Sequence, residues 1–151
     1  MLQIISFEEQ YASSFYDLNI EWLEAFFYVE PYDQKVLSTP KKYIIDNGGY
    51  IFFALLKNEV IGTVALINQG DFYELSKMAV SPKFQGLKIG QQLMQHCIEF
   101  AKSKNWDSIT LYSHRKLVPA INLYKKVGFK EIPLEEDSHY ERSNIKMKLT
   151  L

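Results

Sequence analysis

The chain has 151 residues, 47% of them hydrophobic and 15% aromatic, and a formal charge of -1 from 17 basic and 18 acidic side chains. That composition excludes a disordered polymer and gives no general electrostatic pull toward nucleic acid or an anionic membrane. The single cysteine, Cys97, has no internal partner for a disulfide, which fits a reducing compartment.

In chain order, residues 2–7 form a short apolar run and are expected to be a first strand. Residues 8–28 carry Tyr11, Phe15, Leu18, Trp22 and Phe26 at spacings of three to four, the period of a helix. Glu30-Pro31 ends that helix. Residues 34–37 and 41–46 are expected as short helical turns around Pro40. Asn47-Gly48-Gly49 is a turn. Residues 50–56 and 60–67, rich in β-branched and aromatic side chains, predict an antiparallel hairpin, and residues 72–80 a third strand of the same meander.

Residues 90–104 form the clearest helix, with Leu93, Cys97, Phe100 and Ala101 on one stripe widened by Met94 and Ile98. Residues 107–113 predict a strand, residues 117–126 a helix ended by Gly128, and residues 129–132 a short strand. The acidic stretch 135–137 reads as a loop. Alternating Ile145, Met147, Leu149 and Leu151 predict a closing strand with one buried face, placed at the edge of the sheet. Strands 75–80 and 108–113, joined by a helix, argue for a parallel pair in a mixed sheet. One domain, residues 1–151, is expected. The N-terminus lacks a basic n-region, and no apolar run nears the ~20 residues of a membrane helix, so a soluble, cytoplasmic protein is expected.

The central stretch is Met78-Ala79-Val80-Ser81-Pro82-Lys83-Phe84-Gln85-Gly86-Leu87-Lys88-Ile89-Gly90-Gln91. It leaves a strand, turns at a proline, passes two glycines and opens a helix. Such a loop presents unpaired backbone N–H groups at the positive end of a helix dipole, which suits phosphate. It matches neither the G-x-G-x-x-G pattern nor a Walker A loop. On spacing alone it is either a pyrophosphate cradle or an ordinary loop before a helix.

This stretch resembles the acetyl-CoA-binding motif of the GNAT N-acetyltransferase superfamily, R/Q-x-x-G-x-G/A after a strand. Ala120-Ile121-Asn122-Leu123-Tyr124-Lys125-Lys126-Val127-Gly128-Phe129 is similar to the family's A-x-x-L-Y-x-x-x-G-F helix. The order and spacing of the two motifs agree, and the element order agrees over essentially the whole chain. Lys88 stands where the family has its first glycine, and Leu117 where many members have an asparagine. The resemblance implies an α/β fold of the acyl-CoA N-acyltransferase kind. Its central mixed sheet is mostly antiparallel, carries a splayed parallel strand pair and is flanked by helices.

The resemblance also implies the site. Met78, Ala79 and Val80 would pair by backbone with the pantetheine arm. Gln85, Gly86, Leu87, Lys88, Ile89, Gly90 and Gln91 would hold the pyrophosphate, with Asn122 also assigned to the coenzyme. Tyr124 is the implied acid for the departing thiolate; read without the resemblance it is a core aromatic. Glu74 is the candidate base, or else a strand-end residue with a structural hydrogen bond. A carboxylate with a pKa of about 4.3 needs burial or a water relay to deprotonate an alkylammonium. Trp22, Glu30 and Asp33, with His114, are candidates for the acceptor wall.

Cys97, on the apolar stripe, is expected to be inert packing, so transfer would be direct. His96, His114 and His139 lack metal-ligand spacing, and no metal is expected. The expected function is transfer of an acetyl group from acetyl-CoA to a primary amine of a small molecule or peptide. The alternative is a non-catalytic acyl-CoA sensor on the same fold. No nucleic-acid or membrane partner is expected. A homodimer through the edge strand 145–151 is open to this fold.

Overall fold

The computed structural model describes residues 2–84, 86–135 and 142–151. Gln85 and His139 lie outside them. Seven strands form one sheet in the order β1-β2-β3-β4-β5-β7-β6. They are β1 (Leu2–Ser6), β2 (Tyr50–Leu56), β3 (Glu59–Asn68), β4 (Tyr73–Val80), β5 (Ser108–Ser113), β6 (Lys130–Ile132) and β7 (Ile145–Thr150). Four α-helices flank the sheet: α1 (Ala12–Phe26), α2 (Pro31–Ser38), α3 (Ile89–Ser103) and α4 (Val118–Val127). Every neighbouring pair is antiparallel except β4 and β5. The mixed sheet with its parallel pair is as the sequence predicts.

Local chemistry accounts for most element ends. The β2–β3 hairpin turns through Lys57 and Asn58, both at positive φ (51° and 66°). That is a type I′ turn, whose twist matches the strands it joins. Helix α2 begins at Pro31, whose missing N–H costs nothing at a first helical position. Asp33 closes its N-terminus by accepting the Glu30 N–H at 2.9 Å. The short helical turn expected at 34–37 is therefore part of a longer, capped helix that starts at Pro31.

The sheet separates two apolar cores. Under α3 and α4 lie Phe52, Ile61, Leu66, Leu75, Leu93, Cys97, Ile109, Leu111 and Met147. Under α1 and α2 lie Phe15, Leu23, Val36, Leu37, Ile51 and Phe53. Helix α3 approaches β3 closely at Gly62. A Cβ there would meet Ile89 Cγ2 and Leu93 Cδ1 at 3.2 Å each, so a larger residue would push the start of α3 off the sheet.

One expectation fails. Strand β7 is not an edge: it pairs with β5 through residues 145–150 and with β6 through 146–148. The short β6 folds back against its outer side and takes the edge. Pairing of a second subunit with β7 thus has no free ladder to use, and the edges are β1 and β6. The alternation at 145–151 gave its buried face correctly but carried no information on its neighbours.

Candidate active site between two diverging strands

Strands β4 and β5 hold one registered pair, Glu74 with Thr110. Beyond it β4 continues for six residues to Val80 and β5 for three to Ser113. The two strands therefore diverge from Glu74 onward, and among the described residues the β5-facing edge of β4 from Met78 to Val80 has no strand partner.

A bulge in β4 lies at the same place. Ala65 pairs with Ser76 and Thr63 with Ala79, so Lys77 and Met78 together oppose Val64 alone. Lys77 takes φ 53°, a left-handed conformation that costs a non-glycine residue about 1–2 kcal/mol. The bulge shifts side-chain facing. Leu75, Met78 and Val80 all join the α3-side core, with an interval of three then two. Without the extra residue, strict alternation would send Met78 and Val80 to the other face.

After β4 the chain turns through Pro82–Phe84 and Gly86 to α3. Gly86 sits at φ 87°, a conformation available to glycine at little cost. Lys88, the residue before α3, sits at φ 58°. The structure thus keeps the left-handed backbone that a glycine would favour and imposes it on a lysine. No side chain caps α3, and its first internal bond is the Gln92 N–H to Lys88 C=O at 3.0 Å. The amides of Ile89, Gly90 and Gln91 precede that bond and have no intrahelical acceptor. A Cβ on Gly90 would meet only Val80 Cγ2, at 4.0 Å. Among the described residues no atom requires glycine there, although glycine within a helix costs about 1 kcal/mol relative to alanine. An open glycine among unpaired amides leaves room for a group that must approach the backbone, as a phosphate does.

Tyr124 lies on α4 with its ring edge-on to Phe129 at 5.9 Å. Among the described residues its hydroxyl has no hydrogen-bond partner. Burial pushes its pKa up to about 12, so it stays protonated throughout the neutral range. Asn122, on the same helix, is exposed. Cys97 is fully buried and burial pushes its thiol far up, away from nucleophilic use. Among the described residues, no cluster of three or more His, Cys, Asp or Glu side chains is arranged to hold a metal.

The α1–α2 side of the gap is charged and buried. Glu74 is 4% exposed and accepts a hydrogen bond from Gln69 Nε2 at 2.8 Å. Tyr32 is raised above the usual phenol range, first by burial and then by the charge of Glu74. Asp33 is fully buried, and both its oxygens are engaged. Oδ1 accepts from Lys77 Nζ at 3.2 Å and Arg142 Nη2 at 2.8 Å. Oδ2 accepts from the Glu30 N–H at 2.9 Å and Arg142 Nη1 at 2.7 Å. Arg142 Nη1 also reaches Glu30 Oε2 at 2.9 Å. Burial tends to raise the Asp33 pKa, but the Arg142 hydrogen bonds and Lys77 charge outweigh it and hold the carboxyl low. For Lys77 the balance is opposite. Burial lowers its pKa more than Asp33 raises it.

Of the proposed acceptor residues, Glu30 and Asp33 therefore face this chain's own cations. Trp22 packs on Phe26 and Phe27 at 5.2 and 5.7 Å. His114 meets the Phe27 ring at 5.6 Å, and its Nδ1 accepts from the Lys116 N–H at 3.0 Å. Lys116 in turn donates to the Phe26 carbonyl at 2.7 Å and lies 4.0 Å over the Phe27 ring. It ties the end of α1 to the loop after β5 and completes a wall of aromatic rings.

Lys77 and Arg142 were missed by sequence reasoning. For Lys77 a signal exists: the apolar interval Leu75, Met78, Val80 breaks strand periodicity and marks a bulge. For Arg142, 109 residues from Asp33, the sequence carries no local sign.

These features define a protein with an open strand edge leading into an anion-receptive helix start. The sequence model of the acetyltransferase (GNAT) family matches residues 7–129, and the chain belongs to that family. It is 28% identical over 103 residues to the probable N-acetyltransferase camello of Xenopus tropicalis, a match covering 66% of this chain. That match spans about half, 47%, of the longer relative. Its fold is that of a GNAT-family acetyltransferase of Staphylococcus aureus Mu50, with a TM-score of 0.87 at 23% identity over 99% of both chains. The PaiA N-acetyltransferase of Thermoplasma acidophilum, solved in complex with coenzyme A, superposes with a TM-score of 0.77 at 19% identity over 100% of this chain and 99% of its own.

Proposed function

We propose that this chain transfers an acetyl group from acetyl-CoA to a primary amine of a small molecule or peptide, by direct attack and without a metal. The reading includes a single catalytic domain spanning residues 1–151 and a cytoplasmic setting. The observation that carries it is the unpaired β4 edge, Met78 to Val80, leading into the uncapped start of α3.

The backbone of Met78 to Val80 offers donors and acceptors at strand spacing, which suits the two amides of a pantetheine arm. The amides of residues 89–91 and the loop from Gln85 to Lys88 suit its pyrophosphate. The coenzyme supplies an activated acetyl thioester. An N–H of the β4 edge near Val80 polarises the thioester carbonyl and stabilises the negative oxygen as it develops.

The acceptor must attack as a neutral amine, whereas an alkylamine has a pKa of about 10 in water. Glu74 accepts that proton directly or through water. The amine nitrogen forms its bond to the acetyl carbon and sheds its second proton to water. The carbon–sulfur bond breaks, and the sulfur takes a proton from the Tyr124 hydroxyl, which solvent water then reprotonates. Tyr124 is a donor in this scheme and not a base, since its high pKa keeps the proton on oxygen. Trp22, His114 and Tyr32 form the acceptor wall. Glu30 and Asp33 shape it through Arg142 and Lys77.

The test is Tyr124→Phe, assayed with acetyl-CoA and a panel of primary amines. Turnover should fall by about 10²-fold or more, the usual contribution of a positioned acid, while acetyl-CoA affinity stays within about threefold. Acetyl-CoA binding with no turnover by the unaltered protein on any amine would favour the sensor reading. No binding at millimolar acetyl-CoA would sink both.

A further inference from the structure

Lys77 joins two features on opposite faces of the sheet. Its backbone is the left-handed residue of the β4 bulge. Its side chain, 4% exposed, reaches the α1–α2 face and donates to Asp33. Asp33 has no freedom to follow it elsewhere: two contacts from Arg142 and one from the Glu30 amide hold the carboxylate from three other directions. Arg142 itself is held by Glu30. The ammonium is thus tethered to a fixed point built from α2 and from the residue chain preceding β7.

A left-handed lysine inside a strand does not persist unless its surroundings hold it there. Relaxing it would move β4 toward an unbulged register against β3. A one-residue slip carries Met78 and Val80 off the α3 face and reorients every backbone N–H and C=O along the open edge. Replacing buried ion pairs by apolar groups is often harmless to stability, so an ion cluster buried here calls for another reason.

We infer that Lys77 is a positioning residue: its ion pair with Asp33 holds the β4 bulge and so sets the aim of the Met78–Val80 edge. The acceptor-side cluster and the coenzyme-side edge are then two ends of one device. Anything that disturbs the cluster misaligns the edge without touching it. The kinetic consequence rests on the acetyltransferase reading; the structural consequence does not.

The experiment uses Lys77→Met in the full chain. Methionine keeps most of the volume, and Asp33 stays paired with Arg142, so folding is retained. Amide hydrogen exchange is read without ligand. Exchange at residues 77–80 should rise at least tenfold, while the amides pairing β2 with β3 stay unchanged. Lys77→Arg, which keeps a cation in reach of Asp33, should restore most of the protection. In turnover assays, Lys77→Met should lower kcat at least tenfold and weaken acetyl-CoA binding at least threefold, because the misaligned edge is the one that pairs with the pantetheine arm. Exchange at 77–80 that is the same in Lys77→Met as in the unaltered protein overturns the inference and leaves Lys77 as a counter-charge for Asp33. Should Lys77→Met fail to fold, Asp33→Asn removes the charge that holds the ammonium and leaves one acceptor oxygen where Lys77 and the Glu30 N–H use two. It must then loosen the same four residues, or the inference is wrong. Unaltered protein that binds no acetyl-CoA would sink the proposed function alone, because the exchange result stands without it.

Discussion

The two faces of the sheet solve the same problem by different means. The α3–α4 face meets the gap with backbone: an open strand, a loop at positive φ, and a helix start whose first amides have no intrahelical acceptor. Its side chains are almost all apolar, from Leu75 through Leu93 to Met147. The α1–α2 face meets the same gap with side chains. Glu30, Asp33, Lys77 and Arg142 are buried there in contact, next to Glu74 and Tyr32. Backbone recognition is encoded by a contiguous run of sequence. Side-chain recognition is assembled from residues 30, 33, 77 and 142. The first can be read from a motif; the second must be seen.

The comparison is broken most forcefully at Arg142. Arg142→Met removes the cation that satisfies both Glu30 and Asp33 and leaves a buried excess of negative charge. Removing one partner of a buried pair costs about 3–5 kcal/mol, and the lower end corresponds to a melting-temperature fall of roughly 6–12 °C in a chain of this size. Thermal unfolding of the variant beside the unaltered protein measures it. A fall below about 2 °C would mean the cluster is more hydrated than its burial indicates, and the contrast between the faces would lose its energetic side.

Acid probes the same cluster without mutation. The folded pKa of Asp33 lies below the ordinary 3.8. Between those two values the unfolded chain binds the extra proton, so stability rises with pH there and is lost as pH falls through the folded pKa. The urea midpoint should drop on acidification below about pH 4, and Asp33→Asn should flatten that drop. Lys77 adds the same sign at the alkaline end. Its folded pKa lies below 10.5, so the unfolded state holds the proton longer and stability gains as pH rises toward that value. A midpoint independent of pH below 4 in the unaltered protein would place the Asp33 carboxylate in water.

The backbone face is sharpened at Gly90. A Cβ at Gly90 would come no nearer than 4.0 Å to Val80 Cγ2. Gly90→Val should therefore leave the melting temperature within about 4 °C, corresponding to roughly 1 kcal/mol or less. A branched side chain over the amides of residues 89–91 should still weaken acetyl-CoA binding about tenfold or more, by blocking close approach of phosphate. Calorimetric titration checks it. Loss of stability without loss of affinity would show that Gly90 serves packing and not a ligand.

How far the sequence could be read follows the same division. The six longer strands and helices α1, α3 and α4 were legible because each is long enough to show its period, with turns such as Asn47-Gly48-Gly49 between them, whereas the three-residue β6 was legible only from the Gly128 stop before it. The loop before α3 and the helix carrying Tyr124 were legible as motifs, and the fold they implied is the one observed. The position of β7 was not, since alternation fixes a face and never a neighbour. The charges of Glu30 and Asp33 were visible but their partners were not: ion pairs spanning 44 and 109 residues leave no periodic trace.

Lys88 offers the smallest effect and tests whether the two descriptions are separable at one residue. Its backbone is the left-handed residue before α3, and the residue is exposed. Lys88→Gly relieves about 1–2 kcal/mol of backbone strain but returns about 0.4–1 kcal/mol of freedom to the unfolded chain. The net is a gain near or below 1 kcal/mol, a rise of at most a few degrees in melting temperature. Its effect on affinity decides the side chain's role. A solvent-exposed charge contributes about 0.2–1 kcal/mol to a nearby phosphate, so the variant should bind acetyl-CoA up to fivefold more weakly at low salt. That difference should vanish near 1 M salt, where screening acts over about 3 Å. Equal affinity at every salt concentration would show that the lysine points away from the phosphates. Lys88 would then serve the loop through its backbone alone, as the glycine it replaces would.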